Sequence, residues 1–131
     1  MSKQRARATR YRGFREPEGC RVERSEPTAI AGRRARWSKL SPVASLKVRN
    51  HSPTGFEWGY LGSGPAQLAL ALLLDFTGDR RLSERMYQDF KCRVVARWSN
   101  DDVDGQQWEL TGQEILDAVK AAKLEVTSVV D

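Results

Sequence analysis

The strongest constraint on what this chain can fold into is the stretch from Ser63 to Gly78, SGPAQLALALLLDFTG. Ser63 or Gly64 can cap a helix, and Pro65 at the first helical position gives up an N–H that has no partner there. Gly78 suits the residue just past a helix end, where a left-handed backbone is common. Between these signals residues 65–76 are apolar on nearly every side, and Gln67 alone interrupts the run from Ala66 to Leu74. A helix of this kind belongs at the centre of a fold, packed all round, and Ala66, Ala69 and Ala71 let neighbouring elements come close. The run is about half the length of a bilayer span, so no membrane segment is expected.

The flanking sequence supplies partners for that helix. Asp79 is placed to cap a second helix reaching about Trp98, with Leu82, Met86, Phe90 and Val94 on one stripe and arginines on the other side. Residues 99–107, SNDDVDGQQ, read as an acidic surface loop. Thr111-Gly112-Gln113-Glu114 matches a capping box, with Leu110 and Ile115 set for a hydrophobic staple, and opens a third helix over about 112–123. Leu124 to Val130 alternates loosely and suits an edge strand or a tail.

Upstream, residues 11–26 alternate weakly around Tyr11, Phe14, Cys20 and Val22, with Pro17-Glu18-Gly19 as a turn, which predicts a β-hairpin. Residues 27–42 read as a loop or an interrupted strand. Val43 to Asn50 alternates again. Phe56, Trp58 and Tyr60, two apart, would share one face of an extended piece. The 131 residues leave room for one core. The expected fold class is therefore α+β: a small N-terminal antiparallel sheet packed on about three C-terminal helices. Residues 1–10 would be a basic tail and 11–131 a single domain, β-rich over 11–60 and helical over 63–123.

Charge divides the chain. Residues 1–50 hold fourteen Lys/Arg against four Glu, and residues 51–131 hold eight against thirteen Asp/Glu, so the net +5 conceals halves of +10 and −5. A basic arm favours a polyanionic partner through counterion release. The alternative is that the arm folds back and pairs with the acidic half, or is simply solvated. Arg33, Arg34 and Arg36 are the densest cluster and the candidate electrostatic contacts. Tyr11, Phe14 and Trp37, interleaved with arginines, suit base stacking or cation–π contacts, or the core of a small sheet.

Catalytic signals are weak. The Gly-rich turn from Gly59 to Gly64 loosely resembles a dinucleotide fingerprint, but the spacing is wrong and no P-loop lysine follows. Its candidate ligand residues are His51, Glu57, Trp58, Tyr60, Gly62, Ser63 and Gly64, with tight packing beneath the buried helix as the structural alternative. His51 is the only histidine, so any histidine-based pair must use it. Glu57 could act as a general acid or base if buried; a salt bridge to an arginine is the alternative. Asp101, Asp102 and Asp104 miss the calcium-loop pattern. Cys20 and Cys92 lack metal-ligand spacing and read as reduced thiols of a cytoplasmic protein, and the Arg-rich start has no apolar segment of a secretory signal behind it. No catalytic residue, metal or cofactor is expected.

The blocks HSPTGFEWGY (51–60), GSGPAQLALALL (62–73), YQDFK (87–91) and WELT (108–111) resemble a family of small uncharacterised proteins of bacteria, archaea, plasmids and phages, catalogued as a domain of unknown function. The likeness covers about residues 46–120, with a weaker extension near Tyr11. It implies a mobile-element protein that binds host or phage macromolecules, in one version as an inhibitor of a defence system. The expectation is thus a non-enzymatic binding protein whose partner is nucleic acid or an acidic protein surface. The alternative is a small nucleotide- or small-molecule-binding enzyme built on the Gly-rich turn, which requires His51 and Glu57 to converge on one cleft.

Overall fold

The computed structural model describes residues 8–26, 35–101 and 103–130, with side chains as far as Leu124. Arg33 and Arg34, most of the basic tail and Asp102 lie outside the described residues.

Strands β1 (Arg10–Glu16) and β2 (Gly19–Glu26) form the expected hairpin, turning at Pro17-Glu18 and pairing Gly13 with Val22. Strand β3 (Arg36–Lys39) adds to β2 within the segment expected as a loop or interrupted strand. Helix α1 is Val43–Val48, α2 Ser63–Thr77, α3 Arg80–Arg93, followed by a 3₁₀ turn at Val95–Arg97; strand β4 is Gly105–Thr111 and helix α4 Gly112–Val130. The sheet is antiparallel with the order β3-β2-β1-β4. This is an α+β fold with the sheet mostly N-terminal and the helices after it.

One face of the sheet is apolar and meets the helices. Tyr11, Gly13, Val22, Trp108 and Leu110 share it by register, and the four side chains other than glycine are at most 5% exposed. They close over α2, in which every residue from Gly64 to Leu73 is buried. Phe90, Met86 and Tyr87 of α3 and Ile115 and Ala122 of α4 complete the core. Helix ends follow their local signals. Gly78 sits at φ 65° beyond α2, Asp79 accepts from Leu82 N–H at 3.0 Å, and Thr111 and Glu114 exchange capping-box bonds at 3.0–3.1 Å.

Two polar clasps tie sheet to helices. Near the end of α2, Asp75 accepts from the Tyr11 hydroxyl and from Arg24 Nε, both at 2.7 Å. Burial, and then the Asp75 charge, push the Tyr11 pKa up, so its hydroxyl stays a donor. Burial works against the Arg24 charge, but hydrogen bonds to Glu26 and Asp75 outweigh it and raise that pKa too. The second clasp, at the start of α2, joins Arg15 to Glu57.

Four expectations are corrected. Val43–Val48 is helical, because Pro42 starts a turn that Leu46 N–H closes onto Pro42 O at 2.9 Å; Ser45, not Val43, is the buried residue. The acidic loop ends at Gly105, where β4 begins along β1. The helix expected to reach Trp98 stops at Arg93, and Trp98 instead stacks on Trp108 at 4.0 Å and 12°. Leu124 to Val130 continues α4 and forms neither an edge strand nor a tail.

Candidate functional site

The Gly-rich turn folds onto itself and onto β1. Phe56 and Trp58 are buried, but Tyr60 is 44% exposed. The three aromatics therefore do not share a face: Gly59 adopts φ 86° and donates to Val95 O at 3.1 Å, which turns the chain between Trp58 and Tyr60. A Cβ on Gly64 would lie 2.5 Å from Glu57 Cβ, and one on Gly62 would lie 2.3 Å from the Tyr60 ring. The space these glycines leave is filled by the protein's own side chains.

Glu57 is held by an arginine. Arg15 donates from both terminal nitrogens to the carboxylate at 2.9 and 3.0 Å, and to Asn100 Oδ1 at 2.7 Å, with its guanidinium 5.1 Å from the centre of the Trp58 ring. Burial acts against the carboxylate, but the Arg15 bonds and the Trp58 N–H at 3.1 Å hold the Glu57 pKa below the usual range. It is an ionised ion-pair partner at neutral pH and has no proton to give. Cys20 lies beside it, 3.7 Å from Arg15 Nη1, and burial followed by the Glu57 charge pushes its thiol pKa up to about 11. Burial also raises the Tyr60 pKa, with Glu57 adding to it.

Arg15, Cys20, Glu57 and Tyr60 line a cleft of about 520 Å³ at the start of α2, together with Glu16, Glu18, Ser63 and Gly64. Glu57 and Glu16 are each paired with an arginine and Glu18 adds a further carboxylate, so the lining offers a nucleotide phosphate no cation that is not already engaged by a carboxylate. His51 is not part of it. That residue lines a separate cleft with Arg49, Arg81 and Arg85, and its Nε2 lies 2.6 Å from Tyr87 Oη. The convergence that the enzyme alternative requires does not occur. Among the described residues no group of three His, Cys, Asp or Glu side chains could hold a metal ion, and both cysteines are free thiols.

The outer face of the sheet has a different character. Arg10, Arg12, Phe14 and Glu16 of β1 alternate with the core-facing set, and register adds Arg21 and Glu23 of β2, Trp37 and Lys39 of β3, and Gln106 and Glu109 of β4. Arg12 lies 3.8 Å from the centre of the Trp37 ring, with Arg10 at 5.4 Å; Arg12 and Arg21 flank Phe14 at 5.1 and 4.6 Å. Each guanidinium is also paired: Arg10 with Glu109, Arg12 with Glu23 at 2.8 Å, and Arg21 with Glu16. Guanidinium–ring contacts contribute roughly 0.5–2 kcal/mol each. They keep the arginines flat against the sheet and not extended into solvent. Tyr11 thus went to the core, while Phe14 and Trp37 went to the arginine-lined face.

Of the sequence-predicted cluster only Arg36 is described, exposed at the start of β3 and on the side away from Trp37. Its position still has a consequence. Arg10 pairs near Ser25, and Glu26 pairs with Arg36, so the start of β1, the end of β2 and the start of β3 lie at one end of the sheet. Segments 1–7 and 27–34, which carry Lys3, Arg5, Arg7, Arg33 and Arg34, are both attached there. The interleaving of Phe14 and Trp37 with arginines was the trace of this lattice in the sequence; which guanidinium meets which ring is decided across strands and is not legible there.

The architecture is that of a small α+β protein: a four-stranded antiparallel sheet with helices on one face and an arginine–aromatic lattice on the other. The chain belongs to a family of unknown function, DUF6166, whose model matches residues 11–121 and so takes in the hairpin and β3 as well as the block from residue 46. No curated protein and no solved structure matches the chain. Among the described residues no helix is long and apolar enough to cross a membrane.

Proposed function

We propose that this chain is a non-enzymatic nucleic-acid-binding protein that receives a single strand on the outer face of its sheet. The observation that carries the reading is the Trp37–Arg12–Phe14–Arg21 lattice on a face that no described helix covers. Unpaired bases stack on aromatic rings and on guanidinium planes, and a guanidinium already seated on Trp37 offers such a plane at little entropic cost. The paired carboxylates leave the lattice only mildly positive, so stacking would dominate there. Long-range attraction would come from the basic segments attached at the end marked by Arg10, Glu26 and Arg36. The mobile-element setting drawn from the resemblance, with action in the cytoplasm on host or phage macromolecules and in one version inhibition of a defence system, forms part of the proposal.

The test is anisotropy of a labelled single-stranded oligonucleotide across a salt series. Trp37→Ala should weaken binding about tenfold, as loss of one stacking position predicts, with an unchanged salt slope. The triple variant Arg33→Glu/Arg34→Glu/Arg36→Glu should flatten the slope, since each lost phosphate contact removes about 0.7 from it on a single strand. No binding by the unmodified chain at low salt would sink the reading and move the search to acidic protein surfaces.

A further inference from the structure

The cleft that took His51 away from Glu57 has its own chemistry. It is an open cleft of about 590 Å³ lined by Arg49, His51, Arg81, Glu84, Arg85, Tyr87 and Gln88. Arg49, Arg81 and Arg85 are all exposed, and among the described residues none of them takes part in an ion pair or a side-chain hydrogen bond. This contrasts with the sheet, where Arg10, Arg12, Arg15, Arg21 and Arg24 are each matched to a carboxylate. The single acid on the rim, Glu84, is engaged by Arg80 at 3.5 Å.

The arrangement works against helix stability. Arg81 and Arg85 stand four apart on one face of α3, a like-charge spacing that repels. They follow Arg80 into the first turns, where the helix dipole is already positive, and the first turn holds no acid. The walls are nonetheless fixed. His51 Nε2 meets Tyr87 Oη at 2.6 Å, and the His51 and Ser52 N–H groups donate to the buried Gln67 Oε1 at 2.8 and 3.1 Å. Arg49 is fixed at the end of α1 by its N–H to Ser45 O at 3.0 Å. Uncompensated guanidiniums from two elements thus line one cleft beside the mutually hydrogen-bonded His51 and Tyr87.

We propose that this cleft is a phosphate site, binding a phosphate ester through Arg49, Arg81 and Arg85 with Tyr87 and Gln88 as neutral partners. Three guanidiniums converging on one oxyanion give charge-assisted, in part bidentate, hydrogen bonds. The phosphate could belong to a free nucleotide or to a strand that also lies on the sheet. The site stands independently of the outer-face reading, because it is on the helical side and shares no residue with the lattice.

The experiment is titration of the full chain with inorganic pyrophosphate and, separately, with a labelled oligothymidylate, for the unmodified protein and for Arg81→Gln/Arg85→Gln, Arg49→Gln and Trp37→Ala. Pyrophosphate should bind, and each arginine variant should weaken it on the order of tenfold or more, whereas Trp37→Ala should leave it unchanged. All three arginines are exposed, so circular dichroism and urea midpoints should show folded proteins. If the arginine variants also weaken the oligonucleotide, the phosphate comes from a strand; if they spare it, the site takes a small phosphorylated ligand. No pyrophosphate binding at millimolar concentration, or binding untouched by both arginine variants, overturns the site and leaves the outer-face reading standing. Loss of oligonucleotide binding in Trp37→Ala alone tests only that other reading.

Discussion

Gln67 is the one polar side chain in the buried core of α2, and replacing it with leucine should cost about 2 kcal/mol. The residue is 0% exposed. Its Oε1 accepts from His51 N–H at 2.8 Å and Ser52 N–H at 3.1 Å, and its Nε2 donates to Ser45 Oγ at 2.9 Å. Leucine has nearly the same volume, so cavity and overpacking terms are small. Ser45 keeps its own bond to Pro42 O at 2.9 Å, so its loss is minor. The main cost is two stranded backbone donors, at about 1–3 kcal/mol each when fully buried. His51 and Ser52 are only half-buried, so water can reach them, which takes the sum to about 3 kcal/mol. Burial of an apolar group in place of an amide offsets roughly 1 kcal/mol more. For a chain of this length 2 kcal/mol lowers Tm by about 8 °C. Urea unfolding of Gln67→Leu should show a lower midpoint with the same slope. Amide exchange should accelerate at residues 51 and 52 while α2 keeps its protection. A variant within about 0.5 kcal/mol of the unmodified protein, with both amides still protected, would mean that something else holds this loop.

Gly13→Ala should destabilise by about 2–3 kcal/mol, because its Cβ would lie 2.2 Å from Trp108 Nε1 in a ring already stacked on Trp98 and set edge-on to Trp58; an unchanged urea midpoint would show that the tryptophan cluster can shift freely. Glu57→Gln should remove a pH dependence. The Glu57 pKa is lower folded than unfolded, so the Arg15 pair stabilises fully above the unfolded value of about 4.3 and its contribution fades as pH falls through the folded value. At pH 7 the variant should lose roughly 1–2 kcal/mol, between the figures for exposed and buried pairs because Glu57 is 33% and Arg15 16% exposed. At acid pH, below both values, the two proteins should converge, and a constant gap from pH 7 to pH 3 would refute the assignment.

What could be read from the sequence was local. The cap at Asp79, the capping box at Thr111 and Glu114, the glycine beyond α2 and the hairpin turn at Pro17-Glu18 each involve residues within a few positions, where backbone hydrogen bonding and φ decide the outcome. Even the salt-bridge reading of Glu57 was legible as a type, since a half-buried carboxylate in an arginine-rich chain finds a partner. Which arginine it finds was not, because Arg15 is 42 residues away. Strand β4 shows the same limit. Trp108 and Leu110 do alternate into the core, but a seven-residue strand behind an acidic stretch is recognisable only through its pairing with β1, about a hundred residues earlier. In α1, Val43 and Leu46 are three apart, a helical spacing, whereas Leu46 and Val48 are two apart and suit a strand; the Leu46 N–H bond onto Pro42 O settled it.

The functional residues were the least legible for a related reason. Sequence reasoning gathered His51, Glu57 and the glycines into one ligand turn because they are neighbours in the chain. In the fold Gln67 holds the backbone of His51, whose ring meets Tyr87 of α3, while Arg15 of β1 holds Glu57, so two side chains six positions apart line separate clefts. The buried amide that broke the apolar run is what separates them. The same separation sorts the arginines. Those in the sheet alternate with glutamates across strands and are neutralised there, whereas Arg81 and Arg85 follow a helical period with no acid opposite them and Arg49 joins them from the end of α1. Three arginines without an ion pair among the described residues meet at the cleft of Arg49, Arg81 and Arg85, and two of them come from the half of the chain that is acidic by count.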